Sequence, residues 1–195
     1  MPRKMQRNTR GRIVSAAWKL FYEQGYENTT VEDILDLSGT SKGTFYHYFE
    51  GKDALLGTLS VLFDEKYEAL IPTIPENSLE ALVYLNRELF SMIDNSISLE
   101  LLARLLSTQL VTRGEKHLLD RNRVYFRLLR EIVARGQERG ELRRDLTVNE
   151  ITKAYALMER ALMYDWCLCG GDYSLSKYSA EMMGRFLRSY QAETE

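Results

Sequence analysis

The sequence is poor in the residues that mark secreted, metal-binding or membrane proteins. Its 195 residues include two cysteines, two histidines and three prolines. Cys167 and Cys169 are too close together for an ordinary structural disulfide, so we expect reduced thiols packed in a helix. No run approaches the ~20 apolar residues of a membrane span, and no apolar segment follows the basic start as in a signal peptide. We expect a cytoplasmic protein that has no membrane partner, no metal site and no cofactor.

Motifs of the common enzyme classes are also missing. The sequence has no glycine-rich phosphate loop, no HExxH motif and no nucleophile elbow, and we do not expect an enzyme. An apolar content of 45% with few prolines instead favours a compact all-α protein. The formal net charge of -2 does not itself suggest nucleic-acid binding. Basic residues are concentrated at the N-terminus, however, where an arm could follow phosphates or could merely aid solubility: Arg3, Lys4, Arg7, Arg10 and Arg12.

Residues 29–56 encode two short helices that meet at a tight turn. Thr30 is a good N-cap for the first helix, and Asp33 follows three residues later, where an acid favours the helix dipole. Gly39 can adopt the left-handed conformation that ends this helix, and Ser41 can cap the next one. This spacing predicts a helix-turn-helix.

The second of these helices, residues 42–49, is unusually polar for its length. Phe45 and Phe49, four residues apart, can anchor one face to a core. The other positions offer hydrogen-bond donors that could contact DNA: Lys42, Thr44, Tyr46, His47 and Tyr48.

This segment resembles the DNA-binding domain of the tetracycline-repressor (TetR) family. The run SKGTFYHYF, with a lysine three residues later, carries most of the resemblance, and RGRIVSAAWKLFYEQGYENTTV is similar to the family's first helix. The resemblance implies a helix-turn-helix DNA-binding domain over residues 1–56. It also implies a C-terminal domain for effector binding and dimerisation over residues 57–195, and an all-α fold of about nine helices.

The resemblance further implies DNA contacts residue by residue. Lys42 is expected at a guanine or a phosphate, and Thr44 at a thymine methyl or a phosphate. Gly43 would let the backbone approach the duplex closely. The other residues expected to contact DNA are Thr30, Ser41, Tyr46, His47, Tyr48 and Lys52.

The rest of the chain shows helical periodicity and turn signals. We predict a fourth helix from Asp53 to Ile71, a fifth capped by Ser78, and an eighth that starts with the capping box of Thr147 and Glu150. The remaining predicted helices cover residues 99–111, 118–139 and 175–190.

Candidate effector-binding residues lie in these helices. Arg104 and Thr108 are four apart in a helix that is apolar nearly all round, which predicts burial. A buried arginine needs an anion, so Arg104 is either a pocket residue or half of a structural ion pair, for example with Glu159 or another internal acid. The remaining alternative is that Arg104 lies at the exposed edge of its helix. Glu159 could alternatively suit a cationic ligand. Aromatic and apolar candidates, each equally suited to a core, are Tyr84, Tyr125, Phe126, Tyr155, Met158 and Trp166.

The last two helices carry a large apolar load. By resemblance they pair with the same helices of a second subunit, and the alternative is an intramolecular core. The candidate interface residues are Met163, Trp166, Met182, Met183 and Phe186. A homodimer would set two recognition helices ~34 to 36 Å apart, in successive major grooves of a palindromic double-stranded operator.

The leading hypothesis is therefore a sequence-specific transcriptional regulator, in this family most often a repressor, that a small-molecule effector releases from DNA. The alternative is a helical protein-interaction module whose helix-turn-helix no longer binds DNA.

Overall fold

A computed structural model describes residues 2–111 and 116–192, with side chains from Thr9 onward. These residues form ten α-helices and two short 3-10 helices, which confirms the predicted all-α fold. The first five α-helices are α1 (Pro2–Gln24), α2 (Val31–Ser38), α3 (Lys42–Tyr48), α4 (Lys52–Leu56) and α5 (Leu59–Leu70). The others are α6 (Ser78–Ser96), α7 (Leu99–Val111), α8 (Val124–Glu138), α9 (Val148–Leu168) and α10 (Leu175–Arg188). Within the described ranges, no helix is long and apolar enough to cross a membrane.

The described residues fall into two compact units. The first contains residues up to Ser60 together with those from Glu100 to Leu118, and the second contains the remainder. Helices α1 to α4 and nearly all of α7 therefore belong to the first unit. Helices α6, α8, α9 and α10 belong to the second unit. The boundary between the units falls within α5, after Ser60.

The first unit is built around a small aromatic and aliphatic core. Helix α1 packs against α2, and α2 against α3. Its fully buried side chains include Ile13, Ala17, Ile34, Phe45 and Leu55. Helices α1 to α3 are too few to bury a large apolar surface. Each buried side chain among them therefore contributes a large share of the stability of this unit.

The fourth helix predicted from Asp53 to Ile71 is divided into α4 and α5. Thr58 explains the break, because its hydroxyl donates to the Leu55 carbonyl at 2.6 Å and accepts from the indole of Trp18 at 2.7 Å. Such side-chain bonds compete with regular helical geometry. At the adjacent Gly57, a Cβ would lie 2.5 Å from the ring of His117, so only glycine fits without a shift.

The second unit contains the longer helices. Helix α6 packs against α8 and α10, and α9 contacts both α8 and α10. The predicted capping box of Thr147 and Glu150 is present at the start of α9. The predicted cap at Ser78 is wrong, because the amide oxygen of Asn77 accepts from the backbone N–H groups of Leu79 and Glu80, each at 3.1 Å.

Candidate functional site

The turn between α2 and α3 is fixed by three local features. Thr30 and Asp33 form a reciprocal capping box at the start of α2. Gly39 ends that helix at φ 61°, in the left-handed region that favours glycine. Ser41 then caps α3, accepting from the N–H of Thr44 at 3.2 Å. All three predicted signals are confirmed, and together they determine how α3 leaves α2.

Helix α3 has an anchored face and an open one. Phe45 and Phe49 are 0% and 5% exposed, and their ring centroids lie 5.8 Å apart. On the other face, Tyr46 and His47 are exposed, while Tyr48 is half-buried with its ring 4.9 Å from that of His47. The helix therefore presents donors to its surroundings from a rigid support.

Lys42, at the start of α3, has a partner within the chain. Its ammonium group lies 3.1 Å from a carboxylate oxygen of Glu32 on α2, and both side chains are about two-thirds exposed, at 65% and 66%. The hydrogen bond from Lys42 lowers the pKa of Glu32 below its usual value. An anion that approached Lys42 would therefore compete with Glu32.

Gly43 occupies a position where the fold does not require glycine. It lies inside α3, and a Cβ built there would meet nothing within 4 Å. Glycine inside a helix costs about 0.5–1 kcal/mol relative to alanine. The residue therefore lowers stability without a compensating contact among the described residues.

Lys52 is part of the internal structure of the first unit. Its ammonium group donates to the backbone carbonyls of Tyr26 at 2.7 Å and Thr29 at 2.9 Å, and it lies 4.1 Å from the centre of the Tyr26 ring. The Tyr26 hydroxyl donates in turn to Asp53. Burial, and then this bond, raise the pKa of Tyr26. Lys52 thus binds the α1–α2 loop to α4, a role missed by sequence reasoning, and its phosphate contact stays a prediction.

The structure describes the side chains of only part of the basic arm. Arg10 lies over the Phe49 ring, with its guanidinium carbon 5.4 Å from the ring centre. Arg12 is exposed on the same helix. The side chains of Arg3, Lys4 and Arg7 lie outside the described residues.

Arg104 lies at the exposed edge of α7, which was one of the alternatives, and its expected burial in a pocket is wrong. Its side chain is 49% exposed, forms an ion pair with Glu27, and has its guanidinium carbon 5.6 Å from the centre of the Tyr26 ring. The suggested pairing with Glu159 is wrong, because the carboxylate of Glu159 instead accepts hydrogen bonds from Tyr125 and Asn86. The Thr108 hydroxyl donates to the Leu105 carbonyl of its own helix at 2.8 Å. Arg104 and Thr108 therefore do not form the buried anion-binding pair expected from the sequence.

The other effector candidates include a buried polar cluster in the second unit. Glu159, 2% exposed, accepts from the hydroxyl of Tyr125 at 2.7 Å and from the amide of Asn86 at 3.0 Å. The hydroxyl of Tyr155 donates to the Leu82 carbonyl at 2.9 Å. Burial raises the pKa of Glu159, and the bonds from Asn86 and Tyr125 oppose that effect. Met158 is half-buried on the same helix.

The polar atoms in the interior of the second unit are not all satisfied. Among the described residues, three buried side-chain atoms have no hydrogen-bond partner: the Tyr67 hydroxyl, Oδ1 of Asn86 and the Thr152 hydroxyl. All three belong to the second unit. A buried polar atom without a partner costs about 1–3 kcal/mol, so these atoms mark the interior of the second unit as a candidate binding region.

The candidate interface residues in α9 and α10 are mostly core. Met163, Trp166 and Met183 are 6%, 7% and 0% exposed, and the indole of Trp166 donates to the Tyr173 carbonyl at 2.9 Å. Their prediction as interface residues is wrong, because the most apolar side chains fill the second unit itself. Met182 and Phe186 are half-buried.

A different apolar stripe is exposed on the same two helices. Leu157, Tyr164 and Leu168 follow one face of α9 at 52%, 52% and 69% exposure, and Tyr178 on α10 is 43% exposed. Their helical spacing was visible in the sequence. It could not be told from the core stripe, since both faces of α9 carry large apolar residues.

A capped helix, a tight turn and an anchored helix with exposed donors define a helix-turn-helix protein. Residues 13–59 match the family described as "Bacterial regulatory proteins, tetR family". The chain is 26% identical over 149 residues to the transcriptional repressor DhaR of a Mycobacterium species, covering 70% of this chain and 71% of that protein. It is 48% identical over 46 residues to an uncharacterised regulator of Lactococcus lactis, but that match covers only 24% of either chain.

Solved structures show the same fold over nearly the whole chain. FadR of Thermus thermophilus, a repressor solved with lauroyl-CoA, superposes with a TM-score of 0.74 at 24% identity, covering 95% of this chain and 96% of that one. RolR, solved with resorcinol, superposes with a TM-score of 0.68 at 19% identity, and the match covers 94% of this chain and 89% of that one. Residues 13–59 thus match the helix-turn-helix domain of the TetR family, and the chain shares its fold with these solved structures.

Proposed function

We propose that the protein binds a palindromic operator as a homodimer, with α3 of each subunit in a major groove. The exposed donors on α3, held by buried Phe45 and Phe49, carry this proposal. Base edges in the major groove present distinct donor and acceptor patterns that such side chains can distinguish. Ser41, at the N-terminus of α3, and Thr30, at that of α2, would position the protein on phosphates.

The dimer would form through the exposed apolar stripe of α9 and α10. Leu157, Tyr164, Leu168 and Tyr178 are costly to leave in water, and a two-fold axis would pair the stripe with itself. Half-buried Met182 and Phe186 stand at its edge in this proposal. A second subunit is required functionally, because one short helix contacts too few base pairs for specific binding.

Release from DNA would follow the binding of a small molecule to the second unit. FadR and RolR, which share the fold, were solved with small molecules bound. In this chain the unsatisfied cluster around Tyr125, Tyr155 and Glu159, with neighbouring Met158, supports a site in the same unit. An effector that prefers the non-binding arrangement must lower operator affinity by its own differential affinity for the two states, typically ~1–3 kcal/mol.

A gel-shift titration with the DNA upstream of the protein's own gene tests the proposal. We expect sequence-selective binding that weakens steeply with salt, because phosphate contacts release counterions. Binding that random DNA competes away equally well would contradict an operator-binding role and would favour a protein-interaction module.

A further inference from the structure

A pocket between α8 and α9 combines an apolar wall with a high density of positive charge. Its volume is about 410 Å³, which lies within the range typical of small-molecule sites. Leu119, Phe126 and Ala156 supply the apolar wall. Phe126 and Ala156 are 8% and 1% exposed, so this wall is part of the stable core and the pocket is preformed.

Four cationic side chains line the same pocket: Arg121, Arg130, Lys153 and Arg160. Glu150 is the one acid that lines it, and its carboxylate is engaged by the backbone and hydroxyl of Thr147 in the capping box. Counting these side chains leaves an excess of three positive charges. Within the described part of the chain, neither Arg121 nor Lys153 has a carboxylate within ion-pair distance.

Like charges gathered around an apolar cavity repel one another. Arg130 donates to the Arg121 carbonyl at 3.2 Å, which keeps two of these cationic residues close together. Their repulsion is relieved when an anion binds among them. Thr152, which also lines the pocket, is 3% exposed, and its hydroxyl is one of the unpartnered buried atoms. A polar ligand atom at this wall can supply the missing hydrogen bond.

We propose that this pocket binds an amphipathic anion, with its apolar part against Leu119, Phe126 and Ala156 and its carboxylate or phosphate head among the four cations. A simple cation is disfavoured by the charge, and a fully polar anion would leave the apolar wall in water. The proposal rests on the proposed function in one respect, since it identifies the effector class. The pocket neighbours the Glu159 cluster: burial raises the pKa of Glu159, and Arg160, which lines the pocket, is among the groups that oppose this rise.

Calorimetric titration of the full-length protein tests the site directly, with ligands kept below their critical micelle concentrations. Dodecanoate and lauroyl-CoA are the probes, and they distinguish a carboxylate head from a phosphate-bearing one. Dodecyltrimethylammonium and coenzyme A alone are the controls for charge and for the apolar tail. We expect at least one probe to bind about tenfold more tightly than either control. Equal binding of the cationic control, or no binding of either probe, overturns the proposal.

Charge-removal variants locate the site. The first double variant, Arg121→Gln and Lys153→Gln, removes two exposed cations from the pocket. We expect its affinity for the bound probe to fall about tenfold, while its thermal midpoint stays unchanged. Lys177→Gln with Arg188→Gln removes the same charge from α10 and should leave binding intact. An equal loss of probe affinity in both double variants would show that the probe is attracted non-specifically by positive charge, and it would overturn the proposed site.

The same probes are then added to the gel-shift assay, so that the two proposals can fail separately. If the protein binds the operator selectively but binds neither probe, the pocket proposal is overturned and the proposed function is unaffected. Probe binding by a protein that shows no selective DNA binding supports the pocket and overturns the proposed function. Probe binding that releases DNA supports both.

Discussion

Lys42 and Glu32 form an exposed ion pair, 3.1 Å apart, that joins the start of the recognition helix to the preceding helix. The lysine expected to contact DNA is thus already paired in the free protein. Operator binding must either break this pair or place a carboxylate beside a phosphate, and both outcomes oppose binding.

Glu32→Gln should therefore raise operator affinity about 3- to 10-fold at low salt. The gain should shrink as salt rises, because the charges are exposed and screened. Gel shifts at two salt concentrations measure the effect. Glu68→Gln, an exposed change on α5, is the control. Unchanged or weaker binding of Glu32→Gln would show that Glu32 helps to position Lys42 on the DNA.

Gly43→Ala should stabilise the protein by about 0.5–1 kcal/mol, because a Cβ fits freely and alanine favours the helix. The same substitution should weaken operator binding, because the methyl group holds the backbone away from the duplex. Urea unfolding and gel shifts measure the two effects. Gly184→Ala on α10, where a Cβ also meets nothing within 4 Å, should stabilise similarly without affecting DNA binding. Full operator affinity in Gly43→Ala would remove the argument for close approach.

Lys52→Met should destabilise the protein by about 2–3 kcal/mol, because two backbone carbonyls lose a charged donor. Lys42→Met should leave the thermal midpoint nearly unchanged and abolish operator binding. Thermal unfolding of both variants distinguishes the structural lysine from the DNA-contacting one. Equal stability of the two variants would count against a structural role for Lys52.

Glu159 should make stability decrease with rising pH. Burial raises its folded-state pKa above the ordinary 4.5, so the folded protein binds a proton more tightly than the unfolded chain. Its stabilising effect is complete below that ordinary value and is lost as pH rises through the raised pKa. Urea unfolding at several pH values from about 4.5 upward compares the wild type with Glu159→Gln.

The difference between these two proteins isolates the effect, since the lowered pKa values of Glu32, Asp33, Asp145 and Glu150 give the opposite trend in both. We expect the wild type to lose stability relative to Glu159→Gln as pH rises. Parallel stability curves would show that Glu159 titrates as an ordinary carboxyl group.

Leu157→Glu should prevent the proposed dimerisation, because it places a charge within the exposed stripe. Analytical ultracentrifugation should show a monomer, and operator affinity should fall more than about tenfold once the second half-site is lost. Val61→Glu, at a similarly exposed apolar position on α5, is the control. A dimer that persists in Leu157→Glu would place the interface elsewhere.

Local signals were the part of the structure that the sequence predicted well. Thr30, Gly39, Ser41 and Thr147 act through bonds or dihedral angles within a few residues, so their roles depend little on the rest of the chain. The predicted cap at Ser78 was wrong for an equally local reason, since the neighbouring Asn77 is also a good N-cap residue.

Partners far apart in sequence were predicted poorly. An ion pair was one of the alternatives for Arg104, but its partner Glu27 is 77 residues away in sequence, and no periodicity in α7 could indicate it. The internal role of Lys52 was missed for the same reason, since its ammonium group binds carbonyls that lie 26 and 23 residues earlier in the chain.

The sequence alone determined most of the helices, the caps of α2, α3 and α9 and the identity of the α2–α3 turn, because these depend on residues within one or two helical turns. The break between α4 and α5 depends instead on Trp18, 40 residues before Thr58. Only the tertiary structure decided which apolar face of α9 is buried and which cations gather around one pocket. Both depend on how several helices pack against each other, and side chains from distant segments compete there for the same space.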